Sequence, residues 1–191
     1  MLARIPPPVA PPGRDWAYSN VGYLLALREI GRVTGLDPDA LLTSEVIVPL
    51  MLDRTRLARG PEALPHLPPG YDFGWVYHRC LIGPADAAAR LVHAATENGY
   101  VDRADLTARR RLGGAVPGRP WTDHGYGLGL MSGTMGGAGP AMDHSGGGPI
   151  STCAIYRFPD SGLTAAAFSR ATSEAVPERA VARLARRARR A

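Results

Sequence analysis

The sequence predicts an α+β fold: an antiparallel β-sheet, a carboxy-terminal helix packed on it, and a helical region between Asn20 and Leu112. Three observations predict it. From Ser151 to Phe158, the residues Thr152, Ala154, Tyr156 and Phe158 alternate with Ser151, Cys153, Ile155 and Arg157, the period expected of a strand. Pro159-Asp160-Ser161-Gly162 then makes a turn, since proline presets φ and glycine accepts φ > 0. Leu163 to Ser169 returns as an almost wholly apolar strand, expected to be buried on both faces. Finally, residues 174–190 read as an amphipathic helix, with Val176, Ala180, Val181 and Leu184 facing inward and arginines outward.

The elements upstream follow from similar signals. Residues 1–13 hold five prolines and read as an extended lead-in, leaving 14–191 as the folded unit. Val21, Leu24, Leu25, Ile30 and Val33 have helical spacing, and Gly35 is a natural stop. Asp37-Pro38 opens a second helix as cap and first residue, carrying Leu41, Leu42, Val46 and Ile47 to a stop at Pro49. The proline-rich stretch 59–72 is loop, and Gly74 to Tyr77 reads as a short strand. Residues 84–98 form a helix with Ala88, Leu91, Val92 and Ala95 on one face, and 103–112 a shorter one. Gly125 to Met131 alternates glycine with larger residues and reads as a strand, followed by a glycine-rich turn over 133–139.

Composition bounds the function. The 191 residues, 45% hydrophobic and 20% charged, suit one globular domain with a real core. No run of about 18 apolar residues is present, so no transmembrane helix is predicted. The lead-in lacks the apolar centre of a secretory signal, and as written the chain reads as cytoplasmic. Two cysteines, Cys80 and Cys153, are too few for a disulfide framework and read as unrelated thiols. His78-Arg79-Cys80 finds no second ligand pair at metal spacing, so no metal or organic cofactor is expected. All 22 basic residues are arginine, and there is no lysine. Arg170 to Ala191 holds seven arginines against two glutamates, which accounts for the whole net charge of +5. A nucleic-acid or anionic-lipid partner would therefore have to use that tail alone.

Candidate chemistry gathers at two places. Tyr18-Ser19-Asn20 stands at a helix entrance, where a phenol serves as general base if a cationic neighbour lowers its pKa, and Asn20 can bond a carbonyl. The bland reading is that Asn20 caps the helix and Tyr18 packs on Trp16. His144-Ser145-Gly146-Gly147-Gly148 lies at the lip of the sheet, where glycines let a ligand approach backbone N–H donors. A histidine in such a loop is also, more simply, a satisfied polar residue.

Taken together, these stretches resemble a family. Pro12-Gly13 followed by Tyr18-Ser19-Asn20-Val21-Gly22-Tyr23 resembles the PG…YSN-x-GY segment of serine β-lactamase-like hydrolases. That superfamily includes class C β-lactamases, family VIII esterases, D-aminopeptidases and penicillin-binding proteins. In order, Val33-Thr34-Gly35, Pro49-Leu50-Met51-Leu52-Asp53-Arg54-Thr55, Tyr126-Gly127-Leu128-Gly129 and His144-Ser145-Gly146-Gly147 match VTG, PLGM-x-x-T, YGLG and H-[ST]-G-G. In the second of these, the glycine and methionine are replaced.

The resemblance implies an incomplete β-lactamase/transpeptidase-like fold and an acyl-enzyme hydrolase acting on an ester, amide or β-lactam. It implies that Tyr18 moves the proton, that Asn20, Ser145 and Gly146 bind substrate, and that His144 replaces the lysine of K-T-G. The backbone N–H of Gly147 is then one oxyanion donor. The family's S-x-x-K nucleophile segment has no counterpart, since the chain has no lysine. The expectation is a carboxy-terminal part, completed by a missing amino-terminal half or self-associating through an exposed sheet edge. Two alternatives stand: a non-catalytic remnant or binding protein that retains the cleft, and a basic-tail module for nucleic acid or anionic lipid.

Overall fold

A computed structural model describes residues 11, 14, 17–60, 66–71, 80–97, 104 and 114–190. The strand expected at 74–77 lies outside the described residues, as do nearly all of the 103–112 helix and of the 1–13 lead-in.

Helix α1 spans Asn20–Thr34. Ser19, not Asn20, is its cap: its extended backbone (φ −146°, ψ 117°) lets Oγ accept from Gly22 N–H, and Gly35 ends the helix at φ 71°. Asp37 caps α2 (Pro38–Leu42) as expected, accepting from the N–H groups of Asp39 and Ala40 at 2.9 and 3.0 Å. The chain continues as a π-helical turn over Thr43–Ile47 before Pro49. Two short strands, β1 (Arg56–Leu57) and β2 (Leu81–Ile82), pair antiparallel beside these helices. Helix α3 covers Ala85–Glu97, burying Ala87, Val92, Ala94 and Thr96; Ala95 of the expected inner face is exposed.

The main sheet is antiparallel with strands in sequence order: β3 (Asp123–Tyr126), β4 (Met131–Thr134), β5 (Pro140–Gly147), β6 (Thr152–Phe158) and β7 (Leu163–Ser169). Helix α4 (Ala175–Ala188) packs on β6 and β7. The core lies between sheet and α4: Trp121, Met135, Tyr156, Phe158, Val181, Ala182 and Ala185 are essentially inaccessible. Each large apolar side chain sealed there contributes about 1.5–3 kcal/mol relative to exposure. Arg157, from the opposite face of β6, pairs with Glu97 of α3 at 3.0 Å, so α3 and α4 lie on opposite faces.

Several expectations are corrected. Gly125 to Met131 is not one strand but a hairpin, β3–turn–β4, closed by Gly127 N–H to Leu130 O at 2.8 Å. Gly129 adopts φ 74°, a conformation glycine reaches without strain, and the turn forms there. The turn expected over 133–139 starts later, since β4 runs to Thr134 before a 3₁₀ turn at Gly136–Ala138. Strand β7 is an outer strand, with only Ala165 buried and Phe168 half exposed.

On α4 the buried face is Ala175, Pro177, Glu178, Val181, Ala182 and Ala185, while Val176, Ala180 and Leu184 point outward. The helix is turned so that Glu178 faces inward, because its partners lie there. Helices α1 and α2 bury no residue at all, and Leu25, Ile30 and Val33 are exposed.

Candidate active site

The site begins with a gap in the sheet. Strand β4 pairs with β5 only from Pro140 to Asp143, whereas β6 pairs with β5 from Met142 to Gly147. The hairpin turn at Gly127–Leu130 ends β4 there, so among the described residues His144 to Gly147 have no strand on their outer side. Gly148 N–H bonds to Ser151 O at 2.9 Å across the tip of the β5–β6 hairpin. Antiparallel alternation then turns the Gly147 N–H away from β6, toward the open edge. Glycine at 146 and 147 leaves room for neighbouring side chains. A Cβ at Gly146 would stand 2.9 Å from Cys153 Sγ, and one at Gly147 would stand 2.9 Å from Glu174 Oε1.

One face of this edge carries a ring cluster. Tyr18 lies 5.8 Å from both Tyr23 and Tyr126 and 5.9 Å from His144, measured between ring centroids. The rings of Tyr126 and His144 meet edge to face at 5.5 Å. His144 Nδ1 bonds to the Ser145 carbonyl, which can only accept, so Nδ1 carries a hydrogen. Nε2 is hydrogen-bonded to the Tyr126 hydroxyl at 2.9 Å, and that hydroxyl to the Tyr23 hydroxyl. The result is a hydrogen-bonded chain, Tyr23–Tyr126–His144–Ser145 O. Burial and the neighbouring phenols push the Tyr126 hydroxyl far above its ordinary pKa, so it keeps its proton.

The structure brings Tyr18 and His144 together as the sequence anticipates. The condition for Tyr18 to act as a base is a lowered pKa, and the surroundings do the reverse: burial, Tyr23 and Glu174 raise it. Asn20 is the first residue of α1, and its Oδ1 is sealed from solvent with no hydrogen-bond partner.

Ser145 points the other way. In a strand, neighbours face opposite sides, and Ser145 is buried against α4. Its Oγ donates to Glu178 Oε1 at 2.7 Å and lies 2.8 Å from the Tyr156 hydroxyl. Glu178 is fully buried and also receives Trp121 Nε1 at 3.0 Å and the guanidinium of Arg119. The third guanidinium nitrogen of Arg119, Nη1, pairs with Glu174 Oε2 at 2.8 Å. This polar network braces β5 from behind.

Asp143, just before His144, holds φ 124°, a conformation costly for any side chain. Burial raises its carboxyl from 3.8 to about 7. Cys80 and Cys153 are unbridged, and burial raises both thiols. No group of three or more His, Cys, Asp or Glu side chains placed to hold a metal occurs among the described residues. Nor is any described helix long and apolar enough to cross a membrane. Of the tail arginines, Arg179 donates to Gly118 O at 2.6 Å and Arg189 pairs with Asp160 at 3.3 Å. An apolar cavity of about 500 Å³ lies elsewhere, lined by Leu27, Pro38, Leu41, Leu42, Val46 and Leu57 among others.

Sequence reasoning quoted Tyr23 and Tyr126 inside motifs without assigning them work; their hydrogen bonds to one another and to His144 give them it. Arg119, Glu174 and Glu178 were missed. The only available signal for Glu178 was a charge within the apolar register of α4.

The fold has solved relatives. A D-stereospecific amidohydrolase from Streptomyces sp. matches with a TM-score of 0.67 at 21% identity, over 86% of this chain and 53% of its own. D-amino acid amidase from Ochrobactrum anthropi SV3 matches at 0.71 and 18% identity, over 91% and 58% respectively. The octameric penicillin-binding protein homologue from Pyrococcus abyssi matches at 0.68 and 22%, over 92% and 44%. The chain thus spans about half the length of these proteins. No curated protein sequence matches it. The family model described as Beta-lactamase, however, runs from residue 2 to 190, and the chain belongs to the β-lactamase family.

Proposed function

We propose that this chain forms one wall of a serine acyl-hydrolase cleft acting on a small ester, amide or β-lactam. The observation that carries the reading is the meeting of Tyr18 and His144 beside the unpaired edge at Gly146–Gly147. In this reading the Gly147 N–H stabilises the oxyanion of the tetrahedral intermediate. His144, oriented by Tyr126 and the Ser145 carbonyl, and Tyr18 handle the proton, while the side-chain amide of Asn20, two residues from Tyr18 at the start of α1, holds the substrate. Ser145 acts from behind, holding the strand, and Gly146 keeps the edge clear for substrate.

The nucleophile comes from a Ser-x-x-Lys segment outside these residues, since they contain no lysine. Such a lysine would also supply the cation that lowers the Tyr18 pKa. Two features support docking of further polypeptide: α1 and α2 bury nothing of their own, and among the described residues β7 has no strand on its outer edge. Two of the solved relatives are amidases by name, which favours an amide among the three substrate types.

The test is turnover of p-nitrophenyl esters, amino-acid p-nitroanilides and a chromogenic β-lactam. The chain alone should match buffer. Supplied with a polypeptide carrying the family's Ser-x-x-Lys region, it should hydrolyse at least one of them, and Tyr18→Phe should remove most of that rate. Full activity in both Tyr18→Phe and His144→Ala would sink the proposal.

A second reading, a binding protein that retains the cleft, is favoured by one observation: the Tyr18 pKa is raised rather than lowered. Saturable binding of acyl compounds with no turnover in any combination would establish it.

A further inference from the structure

The open edge of β5 has two flanks, and only one carries the ring cluster. On the other stands Glu174, at the start of α4. Its Oε2 is held by Arg119 at 2.8 Å, which fixes the carboxylate in place. Its Oε1 lies where a Cβ on Gly147 would come within 2.9 Å, so this oxygen faces the same glycine that offers its N–H to the edge. Among the described residues Oε1 has no hydrogen-bond partner. The local charge does not cancel: Arg119 is shared by Glu174 and the fully buried Glu178, one guanidinium against two carboxylates. Glu178 is saturated by Arg119, Trp121 and Ser145, so the surplus acceptor is on Glu174. Tyr18, across the edge, also registers the Glu174 charge in its raised pKa.

We propose that Glu174 is a specificity-determining residue of this cleft, binding an ammonium group on the substrate and disfavouring substrates with a carboxylate at that position. The inference rests on the acyl-hydrolase reading of the site and narrows it to cationic acyl compounds, such as amides of amino acids with a free amino group. A carboxylate-bearing ligand, as most β-lactams are, would set like charges together in a partly desolvated site. An ammonium would instead gain a charge-assisted hydrogen bond without moving Arg119.

The experiment is a calorimetric titration of the full chain with three probes. These are phenylalanine amide, N-acetylphenylalanine amide and N-acetylphenylalanine, which carry positive, no and negative charge. A buffer at about pH 6.5 keeps the amino group protonated, below the roughly 7.7 typical of an α-amine. The expected result is a preference of roughly 10-fold or more for phenylalanine amide over its N-acetyl form, the scale of one hydrogen bond to a charged group. Glu174→Gln keeps a side-chain oxygen for Arg119, and should abolish that preference by weakening phenylalanine amide far more than its N-acetyl form. A merely structural Glu174 would instead shift both compounds together, or neither, and would overturn the inference. Equal binding of the two amides to the unaltered chain overturns the ammonium subsite and leaves the acyl cleft standing. Tightest binding of N-acetylphenylalanine overturns it as well, and assigns the flank to Arg119. Binding by none of the three overturns the subsite, whereas the hydrolase reading is decided by turnover with the added Ser-x-x-Lys polypeptide.

Discussion

Ser145 Oγ donates to Glu178 Oε1 at 2.7 Å, joining the strand that carries His144 to the helix that closes the sheet. Adjacent residues of β5 therefore do opposite work. His144 turns to the open edge and its tyrosines, and Ser145 turns into the polar network that fixes the strand. A lateral shift of β5 would move His144, Gly146 and Gly147 together, so the geometry of the edge depends on what lies behind it.

Replacing Ser145 by alanine should therefore lower stability. The substitution removes one donor to a buried carboxylate and a partner of the Tyr156 hydroxyl, a loss of about 1–3 kcal/mol. Thermal melting should show a decrease of several degrees. A side chain whose task was only to touch substrate would leave the melting temperature unchanged.

Glu178→Ala should be more severe. It leaves the buried Trp121 N–H and the Ser145 hydroxyl without their acceptor, at about 1–3 kcal/mol each, and leaves Arg119 with Glu174 alone. Glu178→Gln keeps the shape and one acceptor and should lose less. Urea midpoints for the two variants, read against the unaltered chain, check the order; equal midpoints for all three would show that the network is not structural.

Asp143 makes the chain sensitive to pH. Its folded pKa, about 7, is raised above the ordinary 3.8, so the folded state holds the proton more tightly than the unfolded one. Its contribution to stability is therefore intact below about pH 4 and is lost progressively as pH rises toward 7 and beyond. Asp143→Asn removes that penalty while keeping a residue tolerant of unusual φ. The variant should melt a few degrees above the original at pH 8 and no higher at pH 4. A gain of the same size at both pH values would mean that burial of the charge is not the cause.

Much of the framework was legible in the sequence because it rests on local chemistry. The period of two at 152–158, the Asp37-Pro38 cap and the Gly35 stop each encode their element without reference to the rest of the chain. What failed depends on distant partners. Val176 and Leu184 look like inner-face residues until Glu178 finds Arg119 and Ser145, which turns the helix about its axis. Likewise, Leu163 to Ser169 has the composition of a strand buried on both faces, but of its residues only Ala165 is buried. At the candidate site, Tyr18 and His144 stand in separate motifs whose 5.9 Å approach only the fold shows, and Ser145's inward orientation follows from strand alternation.

That outer strand supports a last prediction. Among the described residues, strand β7 has no strand on its outer side and Phe168 is 51% exposed, and such an edge is a template for pairing with another chain. The chain should therefore self-associate as concentration rises, or bind the polypeptide that supplies the nucleophile. Phe168→Lys places a charge on the edge, where lysine is an effective block to strand pairing, and its half-exposed position keeps the folding penalty small. Sedimentation velocity over a concentration series should show larger species for the original chain and fewer for the variant, with melting temperatures within about 2 °C of each other. A strictly monomeric original chain at every concentration, unresponsive to added Ser-x-x-Lys polypeptide, would mean that this edge is tolerated in water as it stands.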